Sequence, residues 1–289
     1  MTTADADVID EVVDTDRYPL SAPDSPAWDR AVLAARERLH ADGCCVLTGF
    51  VRPELTARLQ AESALAAPLA HHDVELANVY NTPPDPHLPP EHPAQVLLPR
   101  GNAFVARDQL DPGLLVQGLY ASPLLQRFLA ACFELPEIHE LADPLAGLVL
   151  NVLSEGHSHP WHFDTNELAI SMLTQAPEAG GTFEYCPDIR TAEDEHLADV
   201  AAVLAGEGEH RVSRLQPRVG DLQLFRGRYS LHRVTAVRGG TERHSAIFAY
   251  SARPGVVGSV ARTRQLFGRV LPEHLAAEGR AVRLDQLMD

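Results

Sequence analysis

The feature that most constrains this chain is the stretch from residue 146 to 252, where short β-prone segments follow one another at 147–153, 167–174, 182–186, 210–215, 220–226, 230–236 and 243–251. Only Ala192 to Ala205 interrupts them with a helix-like segment. That pattern predicts a mainly β core with flanking helices, an α+β chain. The helices come first. Ala27 to His40 carries Trp28, Ala31, Val32, Ala35 and Leu39 on one stripe and ends at Asp42-Gly43; a strand over Cys44 to Phe50 and a helix from Pro53 to about Leu69 follow. Residues 114–142 read as helical again, and Arg262 to Gln286 as a helical tail packing Leu266, Phe267, Val270, Leu271 and Leu275 onto the core. Between them, residues 71–101 are dense in proline and predict a long loop without regular structure, either a lid or a disordered segment. The acidic residues 1–20 predict a solvated leader. The organisation expected is therefore a leader (1–20), a helical buttress with the Pro-rich loop (21–145), a β core (146–252) and a helical tail (253–289), all within one compact domain.

Inside the core, the run Leu148 to Gln175 sets His162, Phe163 and Asp164 between two apolar segments. On an extended chain, side chains two apart share a face, so this imidazole and carboxylate can grip one ion. With 14 histidines in the chain, chance alone supplies on the order of one H-x-D. His40-Ala41-Asp42 closes a helix and His71-His72-Asp73 follows an Ala-rich helical run, so both are decoys. Independent support lies downstream. His232 falls in a β-prone run, Arg243 follows 11 residues later, and Ser245 two beyond that. A guanidinium and a hydroxyl on one strand face are what a buried carboxylate needs. His210 is the rival third ligand, but 11 residues after it stands Asp221, which would repel the same carboxylate.

This spacing of H-x-D, distal His and R-x-S resembles the Fe(II)/2-oxoglutarate-dependent dioxygenases, over roughly residues 146 to 252. The resemblance implies a double-stranded β-helix, or jelly roll, in which His162, Asp164 and His232 bind Fe(II) as two imidazoles and a carboxylate that leave room for substrate and dioxygen. It implies that Arg243 and Ser245 hold the far carboxylate of 2-oxoglutarate. Asn151, an amide on a buried strand, would bond 2-oxoglutarate, substrate or neighbouring backbone. HPWHFDTNE and GGTFEYCPDIR look most like bacterial enzymes that hydroxylate or halogenate free amino acids and related small metabolites. Halogenating relatives carry a small residue such as Gly where Asp164 stands, so the carboxylate implies hydroxylation, with release of succinate and CO2. Substrate candidates near the mouth are His159, Trp161, Thr165, Asn166, Glu167, Arg190, Arg226 and Arg228. The alternatives are a non-catalytic jelly-roll ligand-binding protein and an oxygenase acting on a protein side chain.

Charge and cysteine usage narrow the partners. A formal charge of −16 disfavours a nucleic-acid substrate. Lacking a signal-like start or a run long enough to span a bilayer, the protein is expected in the cytoplasm and away from membranes. Cys44, Cys45, Cys132 and Cys186 form no C-x-x-C and are expected to be reduced core thiols.

Overall fold

The structure is a computed structural model that describes residues 9–73, 75–166, 168–280, 285, 287 and 288. Two facing antiparallel sheets form its centre. The larger contains Leu148–Leu153, Ala169–Gln175, Leu222–Phe225 and Arg243–Ser251; the smaller contains His159–His162, Phe183–Cys186, Ser213–Leu215 and Leu231–Val234. In chain order the strands alternate between the sheets, except that Phe183–Cys186 and Ser213–Leu215 both lie in the smaller one, joined through the helix Leu197–Leu204. Such alternation winds the chain around the space between the sheets, which makes the core a double-stranded β-helix. Two further strands widen the larger sheet: Cys44–Leu47 pairs with Leu222–Phe225, and Ala103–Val105 with Leu148–Leu153.

The larger sheet is buried on both faces, which is why Leu148–Leu153 reads as a continuous apolar run rather than an alternation. Helices cover its outer side. Helix Pro26–Asp42 starts where Ser25 accepts the Trp28 amide at 3.2 Å, and it stops at Gly43, whose left-handed φ of 64° lets the chain turn into Cys44–Leu47. Trp28 then meets Phe128 of the helix Pro123–Cys132 edge to face at 6.1 Å. Helix Thr56–Ala66 lies on Ala169–Gln175.

Several expectations need correction. Of the anticipated leader, residues 1–8 lie outside the described residues, but Ile9, Val12, Val13, Tyr18 and Leu20 are all core residues. The apolar residues among the acids form the buried stripe. The Pro-rich segment contains a hairpin, Glu75–Ala77 with Leu98–Arg100, and Pro99 sits within a strand; this is an isolated two-stranded pair whose edges tolerate proline. The helical segment over 114–142 is two helices, Leu115–Ala121 and Pro123–Cys132, and then ends in a short strand at His139–Glu140. His159–His162 and Ala103–Val105, both strands, were not anticipated.

The C-terminal segment consists of two short helices, Val260–Phe267 and Pro272–Ala277. A buried polar clasp fixes them. Asp143 accepts the amides of Leu145, Ala146 and Gly258 at 2.8, 2.8 and 2.9 Å, and lies 3.2 Å from Nε2 of His274. Nδ1 of His274 in turn accepts the Leu271 amide at 3.1 Å, so the ring proton is on Nε2 and is donated to the carboxylate. Both side chains are fully buried. His274→Ala removes this donor and leaves a cavity, which should cost about 2 to 4 kcal/mol and lower the thermal midpoint by several degrees in calorimetry.

Candidate metal and cosubstrate site

The smaller sheet brings the two distant histidines together. Leu231–Val234 pairs with His159–His162 so that His232 stands opposite His162, with ring centroids 4.1 Å apart. Each ring is oriented the same way: Nδ1 of His162 donates to the Pro160 carbonyl at 2.8 Å, and Nδ1 of His232 to the Ser230 carbonyl at 3.0 Å. With Nδ1 so engaged, Nε2 is left as a lone-pair donor, the form a metal requires. Asp164 Oδ1 completes the group at 3.6 Å from His162 Nε2 and 3.5 Å from His232 Nε2. The three ligand atoms all lie within 4.8 Å of one another, a set able to hold one ion.

Electrostatics suit a cation there. Burial, reinforced by the facing His232, pushes His162 down to about 4, so its imidazole is neutral at physiological pH. Burial alone would raise the Asp164 carboxyl, but the His232 and His162 imidazoles together hold it well below the usual carboxylate range. Gly227 makes room for it. A Cβ at Gly227 would stand 1.9 Å from Asp164 Oδ2, while the Asp164 amide donates to the Gly227 carbonyl at 3.0 Å. Phe183 and Phe225 wall His232 at 5.6 and 4.9 Å. His210, the rival, is exposed on a 3-10 turn, and His40 is spent on Glu134 at 2.6 Å.

Across from this group, Arg243 and Ser245 project from the larger sheet. Arg243 is 5% exposed, its Nε donates to the Gly181 carbonyl at 3.1 Å, and its Nη1 donates to Ser245 Oγ at 3.1 Å. Among the described residues no carboxylate pairs with it, and burial lowers it to about 10. A buried guanidinium with only neutral partners calls for an anion. Asn151 pairs in register with Ser245, and its Oδ1 accepts from Asn102 Nδ2 at 3.3 Å, a side-chain partner rather than backbone. Asn102 Oδ1 is buried without a partner. The residues thus fit both an octahedral Fe(II), through nitrogen and oxygen donors that leave positions open, and a dicarboxylate cosubstrate, through Arg243 and Ser245.

The mouth departs more from expectation. His159 stacks on His162 with centroids 3.7 Å apart, although residues three apart on a strand belong to opposite faces; a register shift between His232 and Val234 turns it inward. Its Nε2 is buried and unpartnered. Trp161 faces away, because the Arg233 guanidinium lies 4.5 Å from its ring centre and Arg233 alternates with His232. Arg226 is half-buried, and its charge acts on Asp188. Arg190 and Arg228 are fully buried in structural roles: Arg190 stacks 3.8 Å from the Phe163 ring centre and pairs with Glu195, and Arg228 grips Asp285. Thr165 and Asn166 are half-buried in the bend after Asp164, and Glu167 lies outside the described residues.

Two arginines not anticipated for the site stand there instead. Arg100 is 2% exposed and pairs through Nη2 with Glu75, while its Nε and Nη1 are buried and unpartnered. Arg262, from the helix Val260–Phe267, donates to Asn81 Oδ1 at 3.2 Å; Asn81 Nδ2 in turn reaches the Phe163 carbonyl at 3.3 Å. Both guanidinium charges act on His159, and Arg262 also feels Asp164.

The fold is that of the non-haem Fe(II)/2-oxoglutarate oxygenases. AviO1 from Streptomyces viridochromogenes Tue57 superposes with a TM-score of 0.52 at 18% identity, over 76% of this chain and 94% of that one. The carbocyclase SnoK of nogalamycin biosynthesis gives 0.51 at 12%, over 75% and 82%. The epimerase SnoN in complex with Fe3+, α-ketoglutarate and nogalamycin RO gives 0.51 at 15%, over 77% and 84%. No curated protein matches the sequence. The Halogenase D (HalD) family model matches residues 96–264, more than half the chain, and the protein belongs to that family within the Fe(II)/2-oxoglutarate oxygenase superfamily. The superfamily's cofactors are Fe(II) and 2-oxoglutarate, with dioxygen as oxidant. Among the described residues no helix is long and apolar enough to cross a membrane.

His162→Ala and His232→Ala are expected to lose Fe(II) in equilibrium dialysis, and Gly227→Ala to weaken it by displacing Asp164, while His210→Ala retains it. Arg243→Ala should raise the 2-oxoglutarate requirement by two to four decades, since orphaning one member of a buried charge pair costs about 3 to 5 kcal/mol; a 2-oxoglutarate titration at saturating iron measures it.

Proposed function

We propose that the protein uses Fe(II) and 2-oxoglutarate to hydroxylate a small carboxylate-bearing metabolite, an amino acid or a derivative. Together with dioxygen, the bound iron and cosubstrate supply an oxidant for an unactivated C–H bond, with succinate and CO2 as co-products. The chain's own residues position the participants. His162, His232 and Asp164 would hold the metal through two imidazole nitrogens and one carboxylate oxygen. Arg243 and Ser245 receive the distal carboxylate of 2-oxoglutarate, and the Asn151 and Asn102 amides border that pocket.

At the mouth, Nε and Nη1 of Arg100 meet no acceptor among the described residues, and a ligand carboxylate can accept a charge-assisted hydrogen bond from either. The Glu75 ion pair holds the guanidinium by its third nitrogen, which fixes its plane. His159, kept neutral by burial and by the neighbouring His162 and Arg100, offers its ring beside this guanidinium.

The observation that carries hydroxylation over the halogenation suggested by the family's name is Asp164. Its carboxylate occupies the third corner of the ligand set, 3.6 and 3.5 Å from the two imidazole nitrogens, which is where a halide would have to bind. Asp164→Gly, supplied with Fe(II), 2-oxoglutarate, chloride and substrate, is expected to give mostly uncoupled succinate and little chlorinated product, because chloride also needs donors beyond the metal. Mass spectrometry of the products decides this; undiminished hydroxylation would remove Asp164 from the ligand set.

A further inference from the structure

The charges around the mouth do not balance for a neutral amino acid. Arg100 and Arg262 each depress the other's basicity or that of His159, so they share one electrostatic field. Glu75 compensates Arg100. Arg262 has no carboxylate partner among the described residues: its Nη1 donates to the amide oxygens of Asn81 and Gln265, both neutral, and its Nε and Nη2 make no hydrogen bond. Arg262 feels the charges of Asp164 and Glu75, but the first belongs to the proposed metal ligand set and the second is paired with Arg100. Arg262 is also firmly aimed. It sits at the third position of a helix capped by Ser259, whose Oγ accepts the Arg262 amide at 3.2 Å, and Asn81 ties it to the backbone of Phe163, the residue between two proposed ligands. A half-buried cation so held, with two donors open, recognises an anion arriving with the ligand.

We infer that Arg262 receives a second carboxylate of the substrate, so that the substrate class is an acidic amino acid, its α-carboxylate on Arg100 and its side-chain carboxylate on Arg262. This rests on the reading of the site as an amino-acid oxygenase and narrows it. Aspartate and glutamate differ from asparagine and glutamine by charge at nearly constant shape, so the pairs isolate the interaction.

The protein is loaded anaerobically with Fe(II) and 2-oxoglutarate and titrated in a calorimeter with L-aspartate, L-glutamate, L-asparagine, L-glutamine, L-leucine and L-lysine. One acid should bind at least about tenfold tighter than its amide, a difference of about 1.4 kcal/mol. Arg262→Gln should erase that ratio by weakening the acid alone, and Arg262→Lys should restore part of it. An amide binding as tightly as its acid, a ratio that survives in Arg262→Gln, or binding of leucine or lysine alone overturns the second carboxylate while leaving the amino-acid reading intact. Binding by none of the six overturns both. If Arg262→Gln does not fold, the wild-type ratio of acid to amide decides.

Discussion

The antiparallel register that sets His232 opposite His162 is the constraint on which the site depends. Shifting Leu231–Val234 by one residue would turn His232 outward and bring Arg233 in. Burying two imidazoles side by side is tolerable because each donates Nδ1–H to the carbonyl two residues before it, at Pro160 and Ser230. The repetition of that device matters: the same local bond on two neighbouring strands makes both rings present Nε2 to the same point. Asp164 needs no strand of its own, since the close approach of Gly227 and the bond from its amide to that residue's carbonyl hold it against the rings.

The interior inverts the charge of the molecule. A chain with a formal charge of −16 places its unbalanced cations, Arg243 and Arg262, around the space between the sheets. The cost of desolvating them is met by neutral acceptors, the Gly181 carbonyl and Ser245 for one and the Asn81 and Gln265 amides for the other. Neutral acceptors keep a guanidinium in place without cancelling its charge, so both sites hold their attraction for anions. Arg190 and Arg228 show the contrast: paired with Glu195 and Asp285, they brace the loops around Phe163 and Gly227.

What was legible in the sequence was what local pattern encodes. The strand-like runs after residue 146 recur in the two sheets, apart from the missed His159–His162; R-x-S keeps its meaning because residues two apart share a strand face, whereas in H-x-D only His162 is on a strand and Asp164 follows it. Placing His232 rather than His210 in the cluster needed the long-range pairing, for which the spacing to Arg243 was the available signal. The mouth was not legible by the same means. Strand parity put Trp161 and His159 on one footing, and a register shift that leaves no mark in composition separated them. Arg100 lay hidden in a segment whose prolines argued against any strand; a lone arginine in the apolar run QVLLPRGNAFV was its only trace. Arg262 was read as part of a packing helix, since nothing in a short amphipathic segment says which polar residue looks inward. Ile9 to Leu20 was misjudged because the acids interleaved with the apolar residues mask the ones that do the packing.

The clasp between His274 and Asp143 has a consequence for how the molecule is made. A ribosome releases the chain from its N-terminus, so the His-Asp-His cluster and Arg243 have been made by the end of Arg243–Ser251, while the helices that carry Arg262 and His274 are still to come. A nascent barrel can therefore bring its His-Asp-His cluster together before the C-terminal helices are clasped in place.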